Sequence, residues 1–168
     1  MSETVRVGLL GYGYASKTFH APLIAGTTGM ELVAVSSSSA EKVHADWANL
    51  RVEKDPQTLF NDPDIDLIVI PTPNDTHFPL AKQALEAGKH VVVDKPFTVT
   101  LSQAYDLGAI ADRVGKMLSV FHNRRWDSDF LTLKQLLAAG TLGNVVYMES
   151  HFDRFRPEVR QRWREDGS

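Results

Sequence analysis

Short runs that are apolar at most positions recur at residues 5–10, 31–35, 67–70, 90–93 and 118–121, with a briefer one around Val52. Runs of this length, apolar without regular alternation, are strands covered on both faces, as in a parallel sheet between helical layers. The segments between them have helical spacing and helical punctuation. Ser16 to Ile24 opens after a glycine turn, with Pro22 in its first two turns or forcing a break there. Ala40 to Asn49 puts Val43 and Trp47 on one face behind Ser39 as N-cap. Asp55-Pro56 starts a short helix to Phe60, with Asp as cap and Pro at the first helical position. Thr76 to Ala87 stops at Gly88, and Thr100-x-x-Gln103 is a capping box for a helix that runs to Val114 before Gly115. Strands alternating with helices predict βαβ units, hence an α/β doubly wound parallel sheet of the Rossmann kind.

The pattern changes after His122. Asp127 to Ala139 is an amphipathic helix closed by Gly140, and Asn144 to Arg154 alternates like a long strand of an open sheet with one wetter face. Arg154, Arg156, Arg160, Arg162 and Arg164 crowd the tail, which reads as solvated. One helix and one strand cannot bury their apolar faces alone. The expected organisation is therefore a dinucleotide-binding domain over 1–122 and, over 123–168, the truncated start of a second α+β open-sheet domain.

Composition narrows the function classes. The 168 residues are 43% hydrophobic and 23% charged, with a net charge of −3 and no cysteine. A slightly acidic chain gives no electrostatic case for a nucleic-acid partner. Lack of cysteine removes disulfides, thiolate metal sites and redox dithiols. His20, His44, His90 and His122 lack metal-ligand spacing, so no metal is expected. No signal-type segment or membrane-length apolar run is present, and a cytoplasmic location without membrane contact is the expectation.

Four places carry candidate chemistry. Gly11, Tyr12, Gly13, Tyr14 and Ala15 follow the first strand and open a helix. That order places free backbone N–H groups and a positive dipole end against a diphosphate. Gly11 allows the sharp turn and Gly13 a close approach, while Ser16 stands where Gly or Ala is usual. The second strand ends in Ser36, Ser37, Ser38 and Ser39 rather than in the acid that would bind a ribose 2′-hydroxyl; Glu31 is at the wrong end of that strand. Serine hydroxyls and Lys42 favour a 2′-phosphate, so NADP is expected over NAD, with NAD as the alternative; the plain alternative for the serines is a turn and cap. Pro71, Thr72, Asn74, Asp75 and His77 follow the fourth strand, where ligands bind in open α/β sheets. Asn74 and Asp75 are cofactor contacts or helix caps, and His77 is a crevice residue or a structural one. Asp94, Lys95 and Pro96 end the fifth strand on the same edge, where a lysine can hold a substrate or share its proton.

Gly11-Tyr12-Gly13, Pro71 to His77, Ala87 to Pro96 and Asn123-Arg124-Arg125-Trp126-Asp127 together resemble the Gfo/Idh/MocA family of NAD(P)-dependent oxidoreductases, with Asp94 where the family usually has Glu. The resemblance implies that Lys95 lies near the nicotinamide and the substrate carbon, and that the Lys95–Pro96 bond is cis, which only an X–Pro bond tolerates cheaply. It implies hydride transfer with a sugar or a polyol such as an inositol. It also implies a second domain whose open sheet forms most of the substrate pocket and a homo-oligomer interface. The family's Asp-x-x-x-His motif has no counterpart here, and His151 and Asp153, two apart, do not match it. The expectation is thus an N-terminal portion that binds dinucleotide with little turnover; a non-catalytic dinucleotide-binding regulator of the same family is the alternative.

Overall fold

The computed structural model describes residues 4–155 and 157–158. The chain divides into two units after Phe121.

The first unit is a six-stranded sheet in the order β3-β2-β1-β4-β5-β6, parallel throughout. Its strands are β1 (Val5–Leu10), β2 (Met30–Ser36), β3 (Arg51–Glu53), β4 (Leu67–Ile70), β5 (His90–Asp94) and β6 (Leu118–Phe121). Successive side chains of a strand enter opposite cores. Val7, Leu9, Val35, Leu67 and Val69 pack with Ala21, Ile24 and Val43 on one side. Leu10, Ala34, Ile68 and Ile70 pack with Leu59, Phe60, Ala81 and Leu85 on the other. Gly8 belongs to the second side, where an added Cβ would stand 3.0 Å from Ile68 Cδ1 and 3.1 Å from Leu59 Cδ2.

The helices are α1 (Ala21–Gly26), α2 (Ala40–His44), α3 (Pro56–Phe60), α4 (Asn74–Glu86) and α5 (Leu101–Val114). A π-wound segment, Ser16–His20, precedes α1. The capping box closes on both sides: Thr100 accepts from Gln103 N–H, and the Gln103 side chain accepts from Thr100 N–H. Gly115 ends α5 in the left-handed conformation (φ +65°). Two boundaries differ from expectation. The α2 helix ends at His44 rather than Asn49, and the Asp46 and Trp47 side chains beyond it bond to Tyr12. The α4 helix begins two residues earlier than its sequence pattern indicates. Neither Asn74 nor Asp75 caps it; Thr76 closes the turn instead, donating to Pro73 O at 2.6 Å.

In the second unit a 3₁₀ turn, Asn123–Trp126, leads into α6 (Ser128–Ala138), and Gly140 follows with φ +67°. The strand expected over 144–154 is not formed. A strand exists only by pairing, and no partner strand is present among the described residues of this unit. Val146, Tyr147 and Phe152 are exposed, and the Arg124 guanidinium lies 5.1 Å from the Phe152 ring centroid. Arg156, Arg160, Arg162 and Arg164 lie outside the described residues.

At the sheet edge where β1 and β4 begin, Arg6 binds Asp66 through Nε and Nη2, both at 3.0 Å, and reaches Asp64 at 2.6 Å. The Arg6 side-chain bonds hold the Asp66 carboxyl below its ordinary value. A depressed carboxylate contributes stability that is present above its unfolded pKa and is lost as pH falls through the folded one. Urea midpoints measured as pH is lowered from about 5 toward 2 are therefore expected to fall more steeply for the wild type than for Asp66→Asn.

Candidate functional site

All the sheet's strands run the same way, so the turns after β1, β2, β4 and β5 open on one edge. The first turn is stitched to the sheet: Gly11 N–H donates to Ser36 O at 2.7 Å. Gly11 has φ +77°, a conformation open to glycine. Gly13 needs no such conformation. A Cβ added there would meet nothing within 4 Å, so the backbone faces open space. Ser16, at the usual third small position, is buried and donates from Oγ to Gly11 O at 2.9 Å. Its hydroxyl thus satisfies a turn carbonyl, which explains how a serine fits there.

The turn opens the helix at Tyr14 and Ala15, with Tyr14 exposed. Pro22 has no N–H to give, and just before it the helix widens: Ala21 N–H donates to Ser16 O, a five-residue step. The sequence signalled a break at Pro22 but not this register. His20 ends the widened segment, buried, with its ring centroid 4.3 Å from that of Phe121.

Tyr12 is clamped from behind. Its hydroxyl donates to Asp46 at 3.0 Å and accepts from Trp47 Nε1 at 2.8 Å, and Lys17 pairs with Asp46 at 2.7 Å. Bonds from Lys17 and then Tyr12 hold the Asp46 carboxyl below its ordinary value, while burial and Asp46 push the Tyr12 phenol up.

A cavity of about 370 Å³ lies over this edge. Of the sequence-predicted residues it gathers Gly11, Tyr12, Gly13 and Thr72, and across from them Ser36, Ser37, Ser38 and Lys42. Two of the serines also do local work: Ser37 Oγ accepts from Ser39 N–H, and Ser39 Oγ caps α2 by accepting from Lys42 N–H. Ser38 is exposed, with no hydrogen-bond partner among the described residues. Lys54, Pro56 and Leu80 line the same cavity. Sequence reasoning missed Lys54 and Pro56 because only the strand order brings the end of β3 beside the end of β2, and Leu80 because it lies within α4 as an ordinary apolar helix position.

Tyr14, Ala15, Pro71, Asn74, His77, Asp94, Lys95 and Pro96 do not line that cavity. Asn74, half-buried at the start of α4, keeps a buried Oδ1 with no hydrogen-bond partner. His77 is not a crevice residue. It is 1% exposed, and carbonyls face both of its ring nitrogens: Thr72 O at 2.8 Å from Nε2, Pro96 O at 2.8 Å and Phe97 O at 3.2 Å from Nδ1, with the ring N–H donating on the side its tautomer selects. The ring braces the turn after β4 against the turn after β5. The Lys95–Pro96 bond is cis. Lys95 is exposed, and its N–H donates to Asp94 Oδ1 at 2.6 Å. The other Asp94 oxygen is 3.5 Å from His20 Nε2, a charge-pair distance that leaves Nε2 without a close hydrogen bond. Burial acts to raise the Asp94 carboxyl; the proximity of His20 and the bond from Lys95 N–H outweigh it and hold the carboxyl below its ordinary value.

A six-stranded parallel sheet with a glycine turn opening a helix at its central strand is a Rossmann dinucleotide-binding unit. Residues 5–122 match the family described as an oxidoreductase family with an NAD-binding Rossmann fold, and the chain belongs to that family. It is 75% identical over 99% of its length to the uncharacterized oxidoreductase YdgJ of Escherichia coli, covering 48% of that protein. It is 39% identical over 97% of its length to a Bacillus subtilis protein named scyllo-inositol 2-dehydrogenase (NADP(+)) IolW, covering 46% of it. A solved oxidoreductase structure from Yersinia pestis superimposes with a TM-score of 0.95 at 77% identity, over 99% of this chain and 48% of that one. The chain spans about half the length of these relatives. No helix among the described residues is long and apolar enough to cross a membrane.

Replacing His77 by Ala would remove the ring and its N–H donor from between the carbonyls of Thr72, Pro96 and Phe97. The expected loss is about 1–3 kcal/mol in urea unfolding, with faster amide exchange confined first to residues 95–98.

Proposed function

We propose that this chain supplies the dinucleotide-binding half of an oxidoreductase that transfers hydride between NADP, in preference to NAD, and a sugar or a polyol such as an inositol. Residues 1–122 bind the dinucleotide, and residues 123–168 begin the substrate domain. The observation that carries the reading is one sheet edge bearing the glycine turn, a basic serine-lined cavity and the Lys95 turn. The residues fit a dinucleotide. Gly13 faces open space, and Asn74 Oδ1 is buried without a partner. Lys42 and Ser38 border the cavity, and no carboxylate lines it. The Bacillus subtilis relative is named for NADP(+) and scyllo-inositol, which supports the same cofactor and substrate class.

A bound nicotinamide supplies the hydride acceptor or donor. The protein's own residues position and exchange protons. The first-turn N–H groups and the helix dipole hold the diphosphate. Ser37, Ser38 and Lys42 hold the adenosine end. Lys95, exposed at the end of β5, binds the substrate oxygen and shares its proton as hydride moves. Asp94 fixes the Lys95 backbone through its 2.6 Å bond.

Separate titrations with NADPH and NADH, followed by nicotinamide fluorescence, should give about tenfold tighter NADPH binding. Tighter NADH binding would overturn the cofactor assignment. In a polyol oxidation assay of the complete two-domain enzyme, Lys95→Met should lower turnover about 100-fold or more while leaving the NADPH dissociation constant unchanged. Unaltered turnover would remove Lys95 from the chemistry.

A further inference from the structure

We infer that Lys54 is a specificity residue for the dinucleotide, the second cation that selects a 2′-phosphorylated adenosine over its unphosphorylated counterpart. This rests on the dinucleotide reading of the cavity and adds to it a residue from an element that the sequence pattern did not connect with the site.

Strand order brings Lys54 there. The β3 strand pairs with β2 so that Glu53 stands opposite Ser36, and Ser37 N–H continues the ladder to Glu53 O at 2.8 Å. The residue after Glu53 therefore leaves the sheet beside the serine turn. It is anchored on its other side as well. Asp55 Oδ1 accepts from Gln57 N–H at 2.9 Å, capping α3, and Pro56 occupies the first turn of that helix. Lys54 is thus held between a sheet ladder and a helix cap. Its backbone is placed, and the residue lines the cavity together with Lys42 and Ser36 to Ser39.

Charge completes the argument. Neither Lys42 nor Lys54 forms an ion pair among the described residues. The neighbouring Asp55 carboxylate is engaged by the α3 cap, and no carboxylate lines the cavity. Lys42 on α2 and Lys54 after β3 border one concave surface, which the exposed Ser38 also lines. An ammonium is a compact point charge that suits a phosphate oxygen, and two of them match a dianionic phosphomonoester better than a neutral ribose hydroxyl. Pro56 and Leu80 add apolar wall to the same cavity, as a nucleoside flanking that phosphate requires.

The test uses adenosine 2′,5′-bisphosphate and adenosine 5′-monophosphate as probes, titrated calorimetrically against the wild type, Lys54→Met, Lys54→Arg and Lys42→Met. The wild type should prefer the bisphosphate. Lys54→Met should weaken bisphosphate binding about tenfold or more, with 5′-monophosphate binding and the thermal midpoint unchanged. Lys54→Arg should retain most of the preference, and the salt dependence of bisphosphate binding should be shallower in Lys54→Met. If Lys54→Met keeps the full preference while Lys42→Met loses it, the role of Lys54 is overturned and the NADP reading stands. If the wild type binds both probes alike, the NADP reading fails and the inference falls with it.

Discussion

Everything on the functional edge depends on how β1 is enclosed. It is the strand from which the sheet grows in both directions, with β2 on one side and β4 on the other. Its side chains divide between two cores, and on one of them Gly8 leaves room that a Cβ would lose at 3.0 to 3.2 Å from Ile68, Leu59 and Ile65. Burial on both faces fixes the register of such a strand, because a slip of one residue would exchange the two cores. A fixed β1 fixes its turn, since Gly11 N–H is already bonded to Ser36 O at the end of β2. The chain leaves β1 toward β2 and β3 and then returns to lay β4 on the other side of β1. The switch point between those halves is where an open α/β sheet has its crevice.

The turns around that crevice are held from behind. Tyr12 is fixed by Asp46 and Trp47, with Lys17 countering the Asp46 charge. His77 sets one buried ring between the carbonyls of two turns. Ser16 satisfies the Gly11 carbonyl. These bonds engage groups that face the protein and leave the groups that face the cavity free. Preorganisation of this kind lowers the ordering cost that a ligand must overcome. It also explains why aromatic and imidazole side chains near a glycine turn need not touch the ligand at all.

The sheet was legible in the sequence because strands buried on both faces leave unbroken apolar runs, and Leu67 to Ile70 is buried at every position. The capping box at Thr100 and the stop at Gly115 were legible because each acts within one turn of helix. What failed depended on which of several neighbours makes a bond, or on contacts distant in sequence. Asn74 and Asp75 look like caps, yet Thr76 closes that turn. His77 looks like a crevice residue until the Pro96 and Phe97 carbonyls are seen against its ring. The alternation over 144–154 has the period of a strand, but period alone supplies no partner. Lys54 carries no local signal, since a lysine before Asp-Pro reads as an exposed turn.

Net charge misleads about this edge in an instructive way. The protein is acidic overall, at −3, yet the cavity presents lysines. The difference lies in where carboxylates are engaged. Asp64 and Asp66 face Arg6, and Asp62 faces Arg51, at the edge where the strands begin. Nearer the cavity, Asp46 is countered by Lys17 and Asp55 is turned into a helix cap. At physiological ionic strength a surface charge acts over roughly 8 Å, so an anion in the cavity responds to Lys42, Lys54 and the helix dipole rather than to the sum over the chain. A mildly acidic composition is therefore compatible with a site for a polyanionic cofactor, provided that no carboxylate lines the cavity itself.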